Sequence, residues 1–386
     1  METNVEMIEK EEAYPGKIIT PPVVFIAGEN YQIVFETDIT GLARVRVGDR
    51  TYTDNLNGVV RSSDTFHRVI IPCDVLDQAG SYTVEFAHIA DRKPYRPQSG
   101  EFVTETRRFF APGKNPSVKM YMLSDTHTRV DAPSVCAEYF GKELDILVLA
   151  GDIGNSAKDI DLVKTIHRIA ENVLHGEKPC AFVRGNHDTR GKYAEFLPSI
   201  VGNIGGNTFF TFRIGNVWCV GLDCGEDKID SHIEYGDIAD YTSFREAQTA
   251  FLKQIIENKA KEYEKEGTVH KVAICHIPFT IIKHDFADYI YNEWTALLNE
   301  IGIDVMITGH CHKILYYDAD KFIDESKTVA NFPVIVGARM SDDPLSLCDT
   351  KDDEFTATAI EFFDNGEIDL NFTNSKHEII KSVKVK

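Results

Sequence analysis

The chain has no apolar run that approaches the roughly 18 residues of a membrane span, and residues 1–17 are acidic and polar, with no apolar stretch of signal-peptide length. Both absences point to a cytoplasmic protein that does not cross a membrane, although a chain relieved of its signal would read the same way. Positive charge is scarce. There are 41 Lys and Arg against 61 Asp and Glu, a formal net charge of −20 and a pI of about 5.1. No Lys/Arg run of the kind used by nucleic-acid binders is present, so a nucleic-acid polymer is not an expected partner. The eight cysteines, at positions 73, 136, 180, 219, 224, 275, 311 and 348, show neither disulfide nor zinc spacing. Cys180, Cys219 and Cys275 lie in hydrophobic runs and read as buried free thiols, which fits a reducing compartment. There is no internal repeat and no low-complexity tract. Nothing in the sequence gives the oligomeric state.

What is present suffices for a large core. The 386 residues are 43% hydrophobic, a size that suggests two domains or one large domain with an appendage. Residues 1–17 read as a flexible leader. From 18 to 112 the pattern is short and β-like, with strands at 31–35, 42–47, 67–71 and 81–86 separated by Gly, Pro and Asp. This predicts a β-sandwich that looks like a fibronectin type III or immunoglobulin-like module. Ala111-Pro112-Gly113-Lys114-Asn115-Pro116 then breaks any regular element.

Beyond the break the period changes. Hydrophobic strands at 118–123, 145–150, 180–183, 272–275 and 304–307 alternate with helical spacing at 158–174 and 243–264. A hairpin is expected around Gly215-Asn216, late strands near 332–337, 356–363 and 367–372, and a tail at 377–386. Trp218 and Trp294 read as core.

Each hydrophobic strand runs into a short polar motif. In chain order these are Asp125-Thr126-His127, Gly151-Asp152, Gly185-Asn186-His187-Asp188, His276 and Gly309-His310-Cys311-His312. Together they hold three carboxylates, one carboxamide and five imidazoles. Carboxylate oxygen and imidazole nitrogen suit hard or borderline divalent metals, and the set is about right for two ions. In an extended His-x-His, His310 and His312 share one face and Cys311 points away. Asp125 and His127 are spaced alike, and Asp152 has two oxygens with which to bridge. A two-ion clamp of this kind serves in-line displacement at phosphorus.

The five motifs resemble the pattern of the calcineurin-like metallophosphoesterase superfamily, over residues 116–376. The resemblance implies a four-layer α/β/β/α sandwich, preceded here by a module like that of purple acid phosphatases. It implies that Asp125, His127, Asp152 and His312 hold one metal and that Asp152, Asn186, His276 and His310 hold a second. A metal-bridging hydroxide would be the nucleophile. His187 would assist the leaving group, and Asp188 would orient and support His187. An Asp/His/Asn set favours manganese or iron and accepts zinc, cobalt or nickel. Bound cations reverse the local field, so the acidity of the chain does not argue against a phosphate ester.

Two departures narrow the resemblance. Purple acid phosphatases carry a tyrosine three residues after the Gly-Asp aspartate, and they lack the first-motif histidine. Here the positions are Asn155 and His127, which argues against a purple ferric centre. The Asp-Arg-Gly of serine/threonine protein phosphatases is also missing after Gly-Asp. A small-molecule phosphodiester or phosphomonoester is the expected substrate, with a lean towards a diester or a nucleotide-type substrate because the neighbouring loops are acidic. The alternatives are a nucleotide pyrophosphatase and a non-catalytic metal-binding scaffold that uses the β-sandwich to bind a partner.

Three irregular stretches adjoin the motif-bearing strand ends: 223–241, 278–291 and 340–353. The first reads as a lid or as a solvated insertion. Phe279 and its neighbours read as a stack for a base or aryl group, or as the same kind of insertion. Arg184 reads as a phosphate contact or as a structural salt bridge. His284, close behind His276, is the remaining substrate-contact candidate. His67, His88, His167, His175, His232, His270 and His377 match no motif and read as surface or packed residues.

Overall fold

The structure is a computed structural model that describes residues 14–89, 92–338 and 355–385. Residues 1–13 of the expected leader and the whole stretch 340–353 lie outside the described residues.

The N-terminal strands are β1 (Ile18–Ala27), β2 (Asn30–Thr37), β3 (Gly41–Val47), β4 (Arg50–Thr53), the short pair β5 (Asn55–Leu56) and β6 (Val59–Val60), and β7 (Phe66–Pro72). Helix α1 (Cys73–Ala79), β8 (Ser81–His88) and β9 (Val103–Arg108) follow. Strand β3 shows why these segments are strands. Ala43, Val45 and Val47 are buried while Leu42, Arg44 and Arg46 point outward, the period of two expected of a half-buried strand. On the outer face Arg44 and Arg46 pair with Glu85 of the adjacent β8.

The strands form two facing sheets. One has the order β4-β3-β8-β9. The other, β1-β2-β7, does not end with the module. Strand β1 runs parallel to a strand beyond residue 116, pairing Val24 with Pro179 and Phe25 with Cys180. The Gln32 side-chain amide also donates to the Asn203 carbonyl at 2.5 Å, and Tyr82 Oη donates to the Gly176 carbonyl at 2.8 Å.

The remaining elements are β10 (Ser117–Leu123), α2 (Asp131–Ala137), β11 (Ile146–Ala150), α3 (Ile160–Val163), α4 (Thr165–Leu174), β12 (Pro179–Val183), α5 (Leu197–Ile200), β13 (Phe210–Ile214), β14 (Val217–Leu222), α6 (Tyr241–Glu257), β15 (His270–Cys275), α7 (Asp288–Ile301), β16 (Val305–Thr308), β17 (Ile314–Tyr317), β18 (Val334–Gly337), β19 (Thr356–Phe363), β20 (Ile368–Asn374) and β21 (Ile379–Lys384). They complete a nine-stranded sheet, β21-β20-β19-β10-β11-β12-β1-β2-β7, and build a six-stranded one, β13-β14-β15-β16-β18-β17.

Side-chain alternation sorts the layers. Met120, Met122, Val148 and Ala150 face Val272, Ile274, Ile307 and Ile335 across the inter-sheet core. Tyr121, Leu123, Leu147 and Leu149 turn the other way, onto Ile166 and Ile169 of α4. On the far side Val220, Ala273 and Met306 pack against Leu252 and Ile255 of α6 and Trp294 and Leu298 of α7. The result is the expected α/β/β/α arrangement, and its inter-sheet core continues into the space between the two N-terminal sheets.

Two expectations need correction. The predicted helix 243–264 is α6, and it ends at Glu257. Its apolar stripe stops at Ile256 and residues 257–261 are exposed, so the helix ends there and Tyr263 reaches the core beside Trp218 from a turn. Residues 379–384, expected to trail as a tail, form β21 on the edge of the nine-stranded sheet, pairing with β20.

Candidate metal centre

Both sheets deliver their polar motifs from the strand ends. Asp125 and His127 follow β10, Asp152 follows β11, and Asn186, His187 and Asp188 follow β12. His276 follows β15 on the other sheet, and His310 and His312 follow β16. The motif residues are not extended, contrary to the alternation argument for the Asp-x-His and His-x-His pairs. Asp125, His127, Asp152, His310 and His312 all have positive φ, between 43° and 69°. The chain must double back at the sheet edge, and the left-handed conformation does this at a cost of about 1–3 kcal/mol per residue. Hydrogen bonds hold the turns. The Asp125 N–H donates to the Gly151 carbonyl and the His127 N–H to the Asp152 carbonyl, each at 3.1 Å. The His310 N–H donates to Asp125 Oδ2 at 2.9 Å. Gly309 is required by close approach, because a Cβ there would collide with Ser124 Oγ and Asp125 Oδ2.

The side chains converge in three overlapping groups, Asp125 with His127 and His312, Asp152 with His276 and His310, and between them His127 with Asp152 and His187. His312 Nε2 lies 3.3 Å from Asp125 Oδ1 and 3.1 Å from His127 Nε2. His276 Nε2 lies 3.0 Å from Asp152 Oδ2 and 3.8 Å from Asp125 Oδ1. Asn186 Oδ1 is 3.1 Å from His310 Nδ1.

Second partners set the tautomers. His276 Nδ1 donates to the Ala150 carbonyl at 2.8 Å, which leaves its buried Nε2 as the nitrogen that faces the Asp152 and Asp125 carboxylates. His127 Nδ1 donates to Asn155 Oδ1 at 3.2 Å, which turns its Nε2 inward. Orientation of a ligating imidazole through its other nitrogen is the usual arrangement at metal sites.

Electrostatics favour a cation here. Burial pushes the His276 imidazole down, but the Asp152 and Asp125 carboxylates outweigh it and hold the group up at about 10. Burial raises Asp152, but His276 and the other imidazoles bring it well below the ordinary carboxylate range. Burial takes His127 down to about 4. Two buried carboxylates thus draw a positive charge to an inward-facing nitrogen. The donor set of imidazoles and carboxylates with one amide oxygen fits divalent cations with oxygen and nitrogen preference.

The residues beside the centre are placed differently from expectation. Asp188 Oδ2 accepts the backbone N–H groups of Asp152 and Gly185, each at 2.9 Å. The His187 ring is held instead by the Asn155 carbonyl, 2.9 Å from its Nδ1. The expected Asp188–His187 support is therefore replaced by a carboxylate that braces two loops. Its own pKa rises to about 7, first through burial and then through the Asp152 charge.

Arg184 pairs with the fully buried Asp223 at 2.7 Å, which is the salt-bridge reading. Phe279 is fully buried and stacks on Tyr291 at 5.2 Å, so it belongs to the core and not to a substrate stack. His284 is buried, its Nε2 has no hydrogen-bond partner among the described residues, and burial, then the Lys327 and His310 charges, push its imidazole down to about 4.

Asn155, Arg190 and Glu226 carry contacts that the sequence did not assign. Arg190 Nη1 lies 3.5 Å from His187 Nε2, while its Nε and Nη2 grip Glu226 at 2.7 and 2.8 Å. The available signal was spacing. Arg190 is three residues beyond His187 across a single 3₁₀ turn, His187–Thr189, which puts both on one side. Glu226 gave none, because a carboxylate in an acidic loop is unremarkable until its partner is known.

The family model for calcineurin-like phosphoesterases matches residues 118–313, which take in all five motifs. Among solved structures, the chain is similar to purple acid phosphatase PPD1 from seeds of yellow lupin, Lupinus luteus, with 10% identity, a TM-score of 0.59, and coverage of 94% of this chain and 73% of that one. It is also similar to PhoD, with 11% identity, a TM-score of 0.53, and coverage of 93% and 86%. At such identities the likeness is one of fold. No curated protein matches the chain. Matched motif by motif through the catalytic fold, the chain belongs to the calcineurin-like phosphoesterase family, metal-dependent hydrolases of phosphate esters.

Proposed function

We propose that the chain is a two-metal hydrolase of small-molecule phosphate esters, with diesters and nucleotide-type substrates favoured. The observation that carries this reading is His276 Nε2, buried and without a donor, facing Asp152 and Asp125 beside a second Asp/His group. Asp125, His127, Asp152 and His312 would hold one cation. Asp152, Asn186, His276 and His310 would hold the other. When bound, the pair supplies Lewis acidity and lowers the pKa of water towards neutrality. Manganese or iron fits the thiolate-free shell best, and zinc, cobalt and nickel are accepted.

The remaining work falls to the chain. The His187 backbone N–H donates to Asp152 Oδ1 at 2.8 Å and fixes that carboxylate. The His187 ring, anchored by the Nδ1–H that donates to the Asn155 carbonyl, leaves Nε2 for the leaving-group oxygen, and in its doubly protonated form it would pass that oxygen the Nε2 proton. The Ala111–Pro116 break supports a division into a sandwich at 18–112 and a catalytic region from 116, which β21 extends beyond the expected end at 376, and no ligand group draws on the sandwich. The seven free thiols among the described residues support a reducing, cytoplasmic setting.

The test is a rate ratio in manganese-loaded protein, bis-p-nitrophenyl phosphate against p-nitrophenyl phosphate. A ratio above one supports diesters and a ratio below one monoesters. Hydrolysis of neither by protein that carries both metals overturns the reading.

A further inference from the structure

A cavity of about 620 Å³ lies behind Arg190, with Glu226, Tyr235, Ile238 and Tyr241 among its other walls. We infer that it receives the leaving group of the ester and that its walls select an uncharged, hydroxyl-bearing alcohol of up to nucleoside size. The inference rests on the phosphoesterase reading above and deepens it.

Position comes first. Thr189 and Arg190 line the cavity and closely follow His187 in the chain. Arg190 Nη1 stands 3.5 Å from His187 Nε2, so the arginine that lines the cavity also reaches the His187 ring. Hydrolysis adds a water oxygen to phosphorus, breaks the P–O bond to the alcohol and sends that alcohol off with a proton. The departing group must therefore lie on the His187 side, and this cavity lies on that side, one residue away across Arg190.

Charge comes second. Arg190 donates through Nε and Nη2 to Glu226, which is 1% exposed and also accepts from Thr189 Oγ1 and Tyr235 Oη at 3.0 Å each. Arg184, another lining residue, is matched by Asp223. Both arginines are thus neutralised, Glu234 is paired with Lys228 at 3.0 Å, and Glu195 adds negative charge. A second phosphate would meet no unmatched cation among the described lining residues. What remains is the Nη1 edge, which donates hydrogen bonds, and the faces of Tyr235, Tyr241 and Ile238. Hydroxyl groups and an uncharged ring satisfy such walls, and the volume falls within the usual range for small-molecule sites.

Rigidity comes third. Arg245, 1% exposed, donates from α6 to the Cys224 and Glu226 carbonyls at 2.8 and 2.7 Å. Gln248 both donates to and accepts from the Asp223 backbone. The base of the 223–241 wall is thereby fixed before any ligand arrives.

The experiment compares phenyl and 4-methylumbelliferyl esters, of whichever class the wild type cleaves, in Ala239→Trp and Ile238→Trp. Ala239 lines the cavity and Ile238 is 86% exposed, so the second variant carries little folding risk. The expected result is a fall in kcat/KM that is about tenfold or more larger for the methylumbelliferyl ester than for the phenyl ester, with metal content unchanged. In wild type, a carboxylate on the leaving group should lower kcat/KM. Equal losses for both esters in both variants, or a preference for the anionic leaving group, overturn the inference while the phosphoesterase reading stands. Hydrolysis of no ester by the metal-loaded wild type overturns both.

Discussion

The Asp188 carboxylate accepts the Asp152 backbone N–H at 2.9 Å and shares the same oxygen with the Gly185 N–H. A fully buried acid thus ties together the loops that present Asp152 and Asn186. Its cost is electrostatic, because burial and the Asp152 charge raise its pKa from 3.8 to about 7.

This gives a pH prediction. The native state keeps the Asp188 proton up to about 7 while the unfolded chain loses it near 3.8. Above 3.8 the native state therefore binds more protons, and stability from this group falls as pH rises to about 7. Asp188→Asn keeps an acceptor oxygen and removes the charge. In metal-free protein, the Asp188→Asn variant should gain stability relative to wild type as pH rises from about 4 to about 7, as read by thermal melts. Asp188→Ala should lose about 1–3 kcal/mol for each buried N–H left unsatisfied. Parallel pH curves for wild type and the Asp188→Asn variant would refute the assignment.

Metal binding should expel a proton from His276. The group is held up at about 10 in the metal-free protein, so near neutral pH a cation must displace a proton to reach Nε2. Titration calorimetry in buffers of different ionisation enthalpy should show release of about one proton or more per chain. His276→Ala should bind one ion fewer and release less. Asp152→Ala should lose both ions by elemental analysis, and an unchanged count would remove the bridging role.

His187 and Asn155 separate chemistry from orientation. His187→Ala should keep both metals and lose activity by about 10²–10⁴-fold. Asn155→Ala leaves the backbone carbonyl that holds His187 but deletes the Oδ1 that fixes His127. Its expected effect is a fall in metal affinity of about 10–100-fold. Activity lost at full metal occupancy would contradict this.

Arg184 should matter for stability. Its removal leaves the fully buried Asp223 carboxylate with Thr208 Oγ1 and the Gly225 N–H as its remaining donors, while Gln248 holds only the backbone. Loss of a buried partner costs roughly 3–5 kcal/mol, and the surviving donors place Arg184→Ala at the lower end. Denaturant melts should show it. A stable variant with a raised KM would restore the phosphate-contact reading.

The catalytic fold was legible because each ligand follows an apolar run, and a run buried on both faces reads as a strand whatever it packs against. The N-terminal strands were legible for the same reason, through the alternation in Gly41–Val47. Their sheet partner was not. The Val24–Pro179 pairing joins distant parts of the chain through backbone hydrogen bonds, and backbone groups carry no residue-specific mark.

The sequence by itself determined the order of the strands and the ligand types, since apolar periodicity and side-chain chemistry are local properties. Only the tertiary structure decided how the ligands turn inward, because the positive φ of Asp125 and His310 arises from contacts between loops. It also decided that Asp188 braces Asp152 and that Glu226 grips Arg190. Those pairings depend on which carboxylate lies nearest which donor once two sheets have closed, and distance along the chain does not encode that.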